Sequence, residues 1–115
     1  MILSRLVSVR PFLEPALDPD ELFTWADIET RHDDGSVQVW VGDDCAMLTE
    51  AEGETLHIWL GGGSLKGLLR LRPWAEDQAR SWGFERVTID GRPGWVRLLE
   101  RHGYAMRDGL LEKML

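Results

Sequence analysis

The chain has 115 residues, 43% of them hydrophobic and 29% charged, which is enough for one globular core and too little for two. A formal charge of −7 repels phosphate backbones and argues against nucleic-acid binding. Cys45 is the lone cysteine, which excludes an internal disulfide, and MILSRLVSVRPFLEP holds no apolar run fit for a signal peptide or a membrane span. A single soluble, cytoplasmic domain is therefore expected over 1–115.

In chain order, residues 1–20 are the least defined part. ILSRLVSV alternates loosely and suits a short strand or a helical turn, and Pro11, Pro15 and Pro19 punctuate the residues after it. DPDELFTWADIETRHDDG predicts a helix capped by Asp18 or Asp20, with Leu22, Trp25, Ala26 and Ile28 or Glu29 at a rough helical spacing. Three strands come next, at 37–42, 45–53 and 54–60. Val37, Val39 and Val41 alternate with Gln38 and Trp40 in the first, and Leu56, Ile58 and Leu60 with Thr55, His57 and Trp59 in the third. Short turns between them predict an antiparallel meander.

After Gly61-Gly62-Gly63 the period becomes helical. Leu65, Leu68, Leu69, Ala75, Ala79 and Trp82 suit one stripe, Ser64 an N-cap and Gly83 a C-terminal stop, with Pro73 kinking or restarting the helix. ERVTIDG (85–91) is a strand that crosses over this helix and so lies parallel to its predecessor. WVRLLERHG (95–103) is a second helix, and YAMRDGLLEKML (104–115) ends the chain as one bulged strand or a hairpin around Asp108-Gly109. This is an α+β domain with a single mixed, mostly antiparallel sheet and helices on its faces.

The glycine run Gly61–Gly63 with Ser64, Lys66 and Gly67 is the candidate phosphate cradle, because backbone N–H groups at a helix N-terminus attract anions. The competing reading is a plain turn needing φ > 0. His57 is a candidate general base if its face lines a cleft. His32, His57 and His102 have no metal-ligand spacing, so no metal is expected. Cys45, beside Asp43 and Asp44, is a poor nucleophile. The alternation puts Trp40 and Trp59 on one face. That face needs either the N-terminal helix, through Phe23 and Trp25, or a second copy or protein partner to cover it.

The element order resembles the second half of the GCN5-related N-acetyltransferase (GNAT) family. RVTIDGRPGWVRLLERHGYAMRDGLLEKML carries the likeness best, with Gly103-Tyr104 in the place of the family's Gly-aromatic pair and Lys113 in its apolar–Lys–apolar ending. VQVWVGD, LHIWLGGG and GRPGWVRLLERHGY are similar to small GNAT-like proteins of tailed phages and prophages. The resemblance implies a truncated acyl-CoA N-acyltransferase architecture, acetyl-CoA or CoA at residues 61–67, and a strand base at His57 or Glu50, with Glu52 a further choice. It makes Tyr104 a packing residue. Two departures oppose catalysis. Leu99 stands where these enzymes often place a tyrosine acid, and Arg92 where an asparagine often opens the last helix. The glycines also lack the basic-residue spacing of the family loop. The expected function is a non-catalytic interaction or virion-associated module, with acetyl-CoA-dependent N-acetyl transfer as the alternative.

Overall fold

In the computed structural model of the chain, the structure describes residues 2–17, 23–90 and 93–115. The elements are α1 (Ile2–Leu13), a 3₁₀ turn (Glu14–Ala16), α2 (Trp25–Asp33), β1 (Val37–Val41), β2 (Cys45–Glu52), β3 (Thr55–Gly63), α3 (Leu65–Ser81), β4 (Arg86–Asp90), α4 (Pro93–Glu100), β5 (Ala105–Arg107) and β6 (Leu110–Met114). The six strands form one sheet in the order β1-β2-β3-β4-β6-β5. All pairs are antiparallel except β3 with β4. That is the expected architecture, and the single parallel pair comes from the crossover through α3.

Of the two readings of ILSRLVSV, the helical one holds, and it extends to a full helix. Leu6, Val9 and Leu13 recur at spacings of three and four and are wholly buried on the sheet, and Pro11 falls in the last turn. Burial of each such side chain contributes about 1.5–3 kcal/mol. The predicted caps Asp18 and Asp20, with Leu22 and Pro19, lie outside the described residues. The helix itself begins later, in a capping box in which Thr24 Oγ1 accepts from the Asp27 amide and Asp27 accepts from the Thr24 amide. Asp33 and Asp34 close it.

The triple glycine corrects a sequence expectation. It is not a turn. β3 runs on through Gly63, with Gly61, Gly62 and Gly63 opposite Met47, Ala46 and Cys45. Strict alternation also fails along this strand. Leu48 faces Leu60 while Thr49 faces Ile58, so Trp59 is an extra residue, a β-bulge. Leu56 and Ile58 therefore pack on the α3 side, and Leu60 on the α1 side. Trp40 and Trp59 lie on opposite faces, not one. Trp40 packs beneath α3, edge-on to Trp74 at 5.0 Å, and its Nε1 donates to Thr49 Oγ1 at 2.8 Å. Trp59 meets Phe23 at 5.1 Å on the α1 side.

Both faces are thus covered by the chain's own helices. Trp25 and Trp40 are 6% and 5% exposed, which leaves those two nothing to offer a partner. The exposed tryptophans are Trp74 on α3 and Trp82 at its C-cap, both beside Trp40.

Helix α3 is continuous past Pro73. Its buried face is Leu68, Leu71, Arg72, Ala75, Glu76 and Ala79, while Leu65 and Trp82, expected on the stripe, are half exposed. Two charged residues take the inward positions because they are paired with each other. Gly83, at φ +87°, stops the helix, and the Phe84 amide reaches back to the Ala79 carbonyl. Helix α4 is shorter than predicted and ends at Glu100. The C-terminal segment is the hairpin. Asp108 and Gly109, at φ +52° and +83°, form the two-residue turn that Asp-Gly favours.

Candidate functional site

β3 and β4 pair only from Thr55 to Ile58 against Arg86 to Ile89. Beyond that, β3 stays with β2 for five more residues while β4 stops at Asp90, so the two parallel strands part at their C-terminal ends. The gap is a cleft of about 660 Å³ counted out to open solvent. Ile58, Trp59, Leu60 and Gly61 line it from β3, Ile89 and Asp90 from β4, Leu68, Leu69 and Arg72 from α3, and Trp95 and Leu99 from α4. A parallel splay exposes strand-end backbone and apolar side chains together, which is where ligands bind in sheets of this kind.

A charged cluster backs the cleft on the α3 side. Glu76, 2% exposed, accepts from Arg72 Nη1 at 2.6 Å, Tyr104 Oη at 2.8 Å and Lys113 Nζ at 2.7 Å. Burial pushes the Glu76 carboxyl up. Hydrogen bonds from Lys113, Tyr104 and Arg72 pull it down further, and it ends below the ordinary range. Tyr104 moves the other way. Burial and then the Glu76 charge raise its hydroxyl far above the usual phenol range, so it holds its proton.

The two candidate bases are brought together on the opposite face. Glu50 and His57 are register partners on β2 and β3. His57 Nδ1 lies 2.8 Å from Thr88 Oγ1, and its Nε2 lies 3.8 Å from Asp90, a cleft residue. Glu50 is held at 3.2 Å by Arg31, whose guanidinium also covers Phe23 and Trp59. Glu52 is exposed near the strand end. Among the described residues no cluster of three potential metal ligands occurs. Burial, followed by the charge of Asp44, raises the Cys45 thiol.

The candidate cradle is built for packing. A Cβ on Gly62 would overlap the Phe12 carbonyl of α1, so only glycine lets that helix approach the strand. Ser64 follows β3 directly as the N-cap of α3, and its hydroxyl accepts from the Gly67 amide at 3.1 Å. Its own amide donates to the Asp44 carbonyl. A Cβ on Gly67 would fall 2.6 Å from Asp44 Oδ1 and 2.7 Å from Cys45 Sγ, so the β1–β2 turn and its carboxylate press on the first turn of α3. Lys66 is exposed.

Sequence reasoning missed Arg72, Glu76 and Asp90. The signal for the first two was the i, i+4 spacing of opposite charges on α3, which elsewhere marks a solvated pair.

No family model matches the chain, and no curated protein matches it. Solved structures do. Tetrahymena GCN5 aligns with a TM-score of 0.69 at 11% identity, covering 97% of this chain and 87% of its own. The Thermoplasma acidophilum PaiA N-acetyltransferase in complex with coenzyme A gives 0.65 at 11%, covering 98% and 92%. A putative N-acetyltransferase of Lactobacillus plantarum gives 0.62 at 18%, covering 97% and 90%. At such identities the likeness is one of fold.

Coenzyme A is the cofactor this fold suggests. Its apolar end has a cleft here. Its diphosphate end finds no open cradle among the described residues: Gly61 and Gly62 are paired in β3, the Ser64 hydroxyl takes the Gly67 amide, and the Asp44 carboxylate lies against Gly67. The chain therefore has the fold of the GNAT acyltransferases, with the strand splay present.

Proposed function

We propose that the protein is a non-catalytic GNAT-fold interaction module. The observation that carries this reading is the start of α3, where the Ser64 hydroxyl takes the Gly67 amide and the Asp44 carboxylate of the β1–β2 turn lies against Gly67. Leu99 supports it too: the side chain at the place of the family's tyrosine acid is buried, apolar and without a proton to give. An interaction role is supported by Trp74 and Trp82, 51% and 52% exposed on α3 and at its C-cap near the edge strand β1. A phage setting, in the host cytoplasm or in the particle, is supported by the sequence resemblance alone.

A second reading, acetyl-CoA-dependent N-acyl transfer to an amine, is favoured by one arrangement. His57 stands against Asp90 at the cleft edge, with Glu50 opposite it, where a base would deprotonate an amine.

Release of free thiol from acetyl-CoA in the presence of polyamines and lysine peptides separates the two. The module reading expects no release above the protein-free rate. Turnover that is lost in His57→Ala would overturn it.

A further inference from the structure

The two edges of the sheet are finished differently. β5 closes one edge with three residues, and Arg107 there pairs with Glu112. β1 closes the other with five residues, VQVWV, that carry no charge and no proline, and its register with β2 is unbroken. Short length, charge, proline and bulges are what keep an edge from pairing with another chain, and β1 has none of them. The Gly42 amide donates to the Cys45 carbonyl, so Gly42, Trp40 and Gln38 are the residues that bond to β2. The N–H and C=O groups of Val37, Val39 and Val41 therefore point outward. Among the described residues those outward groups have no hydrogen-bond partner.

Aromatic rings and charges frame that open edge. Trp74 and Trp82, each half exposed, stand beside Trp40 on the α3 side, with ring centroids at 5.0 and 5.9 Å from it. Asp33 and Asp34 precede the strand and Asp43 and Asp44 follow it, all four exposed. Arg31 is taken by Glu50 and Arg80 by Asp77. Lys66 and Arg70 are exposed on the first two turns of α3, and setting both against the four aspartates still leaves negative charge in excess. A second copy fits this edge badly. Antiparallel pairing centred on Val39, the register in which all the outward groups meet, sets Asp34 opposite Asp44 of the other copy, and like charges directly opposite are destabilising.

We propose that β1 takes up an extended segment of another protein as a seventh strand, one with basic residues at both ends and apolar side chains at the alternate positions that meet Trp74 and Trp82. The segment supplies backbone partners to Val37, Val39 and Val41, and its basic ends answer the two aspartate pairs. The proposal gives the interaction-module reading its surface and rests on that reading for the role. β1 lies two strands away from β3 and the cleft, so the two are tested independently.

Amide hydrogen exchange on the full chain tests it with two end-capped peptides, KKVTVTVKK and EEVTVTVEE. The basic peptide should bind with a Kd below about 1 mM and slow exchange at the Val37, Val39 and Val41 amides about tenfold, and the acidic peptide should bind about tenfold more weakly or not at all. Val39→Pro removes an outward donor and leaves the β2 ladder whole, so it should fold and lose the basic peptide. Asp43→Lys should weaken the basic peptide and strengthen the acidic one, with thermal melting confirming that each variant folds. Absence of protection at the three amides, or equal binding of the two peptides, overturns the proposal. A dimer in sedimentation that Val39→Pro dissolves overturns it as well, because a second copy then fills the edge. Thiol release from acetyl-CoA overturns the module reading and leaves the β1 edge standing.

Discussion

The two halves of β3 meet different neighbours. Before Trp59 the strand lies between β2 and β4 and alternates regularly, Leu56 and Ile58 inward toward α3 and His57 outward. After Trp59 it has lost β4 and its alternation is inverted, and beyond Leu60 it is reduced to glycines, Gly62 pressed against α1 and Gly61 lining the cleft. One bulged residue separates these halves. A glycine run at a strand end thus has two unrelated uses. It can bare N–H groups to an anion, or it can let a helix close on a sheet. Here Gly62 serves the second.

Breaking the second half should have the largest effect. Gly62→Val places a side chain on the Phe12 carbonyl and should cost at least about 4 kcal/mol or abolish folding, read by denaturant melts. Its neighbour sharpens the contrast. A Cβ on Gly61 meets only Leu68, at 3.4 Å, so Gly61→Ala should stay within about 1 kcal/mol of the parent. A phosphate nest would instead leave both substitutions folded and both affecting ligand.

The α3 side of the first half supplies the next effect. Glu76→Gln leaves Arg72 and Lys113 without their anion and should cost about 3 kcal/mol at neutral pH. Because the folded carboxyl lies below its ordinary range, this stability is fully present above the usual glutamate pKa of about 4.3 and is lost as pH falls through the depressed value. The parent should therefore lose stability with acid more steeply than the variant, and the two curves should converge at low pH. On the same face, Thr49→Val removes the acceptor of the buried Trp40 Nε1 and should cost about 1–2 kcal/mol. Among the losses of a side-chain contact the smallest expected is Thr24→Ala, about 1 kcal/mol, from loss of the α2 capping box on the other face.

Much of this fold is legible in the sequence because its signals are local. Alternation at Val37–Val41, the change of period after Ser64, the Gly83 stop and the Asp108-Gly109 turn each read correctly from a few residues. The hidden features depend on tertiary contact. The bulge at Trp59 leaves no mark in a run that alternates through Leu60, yet it reverses which side Leu60 faces. The capping residue of α2 is masked because DPD precedes Thr24 and offers the same chemistry. Of the site, His57 and Glu50 are readable as strand residues on one face. Arg72 and Glu76 are not, since nothing local distinguishes a buried i, i+4 ion pair from an exposed one; Tyr104 and Lys113, from the far end of the chain, bury it.

The proposed function turns on a start of α3 that holds no diphosphate. Amide shifts in a ¹⁵N-labelled sample titrated with coenzyme A address that point at Leu65 and Lys66, in the first helical turn. Neither amide should move. Saturable shifts at Leu65 and Lys66 with coenzyme A at micromolar concentration would refute this and return the turn to the role of a phosphate cradle.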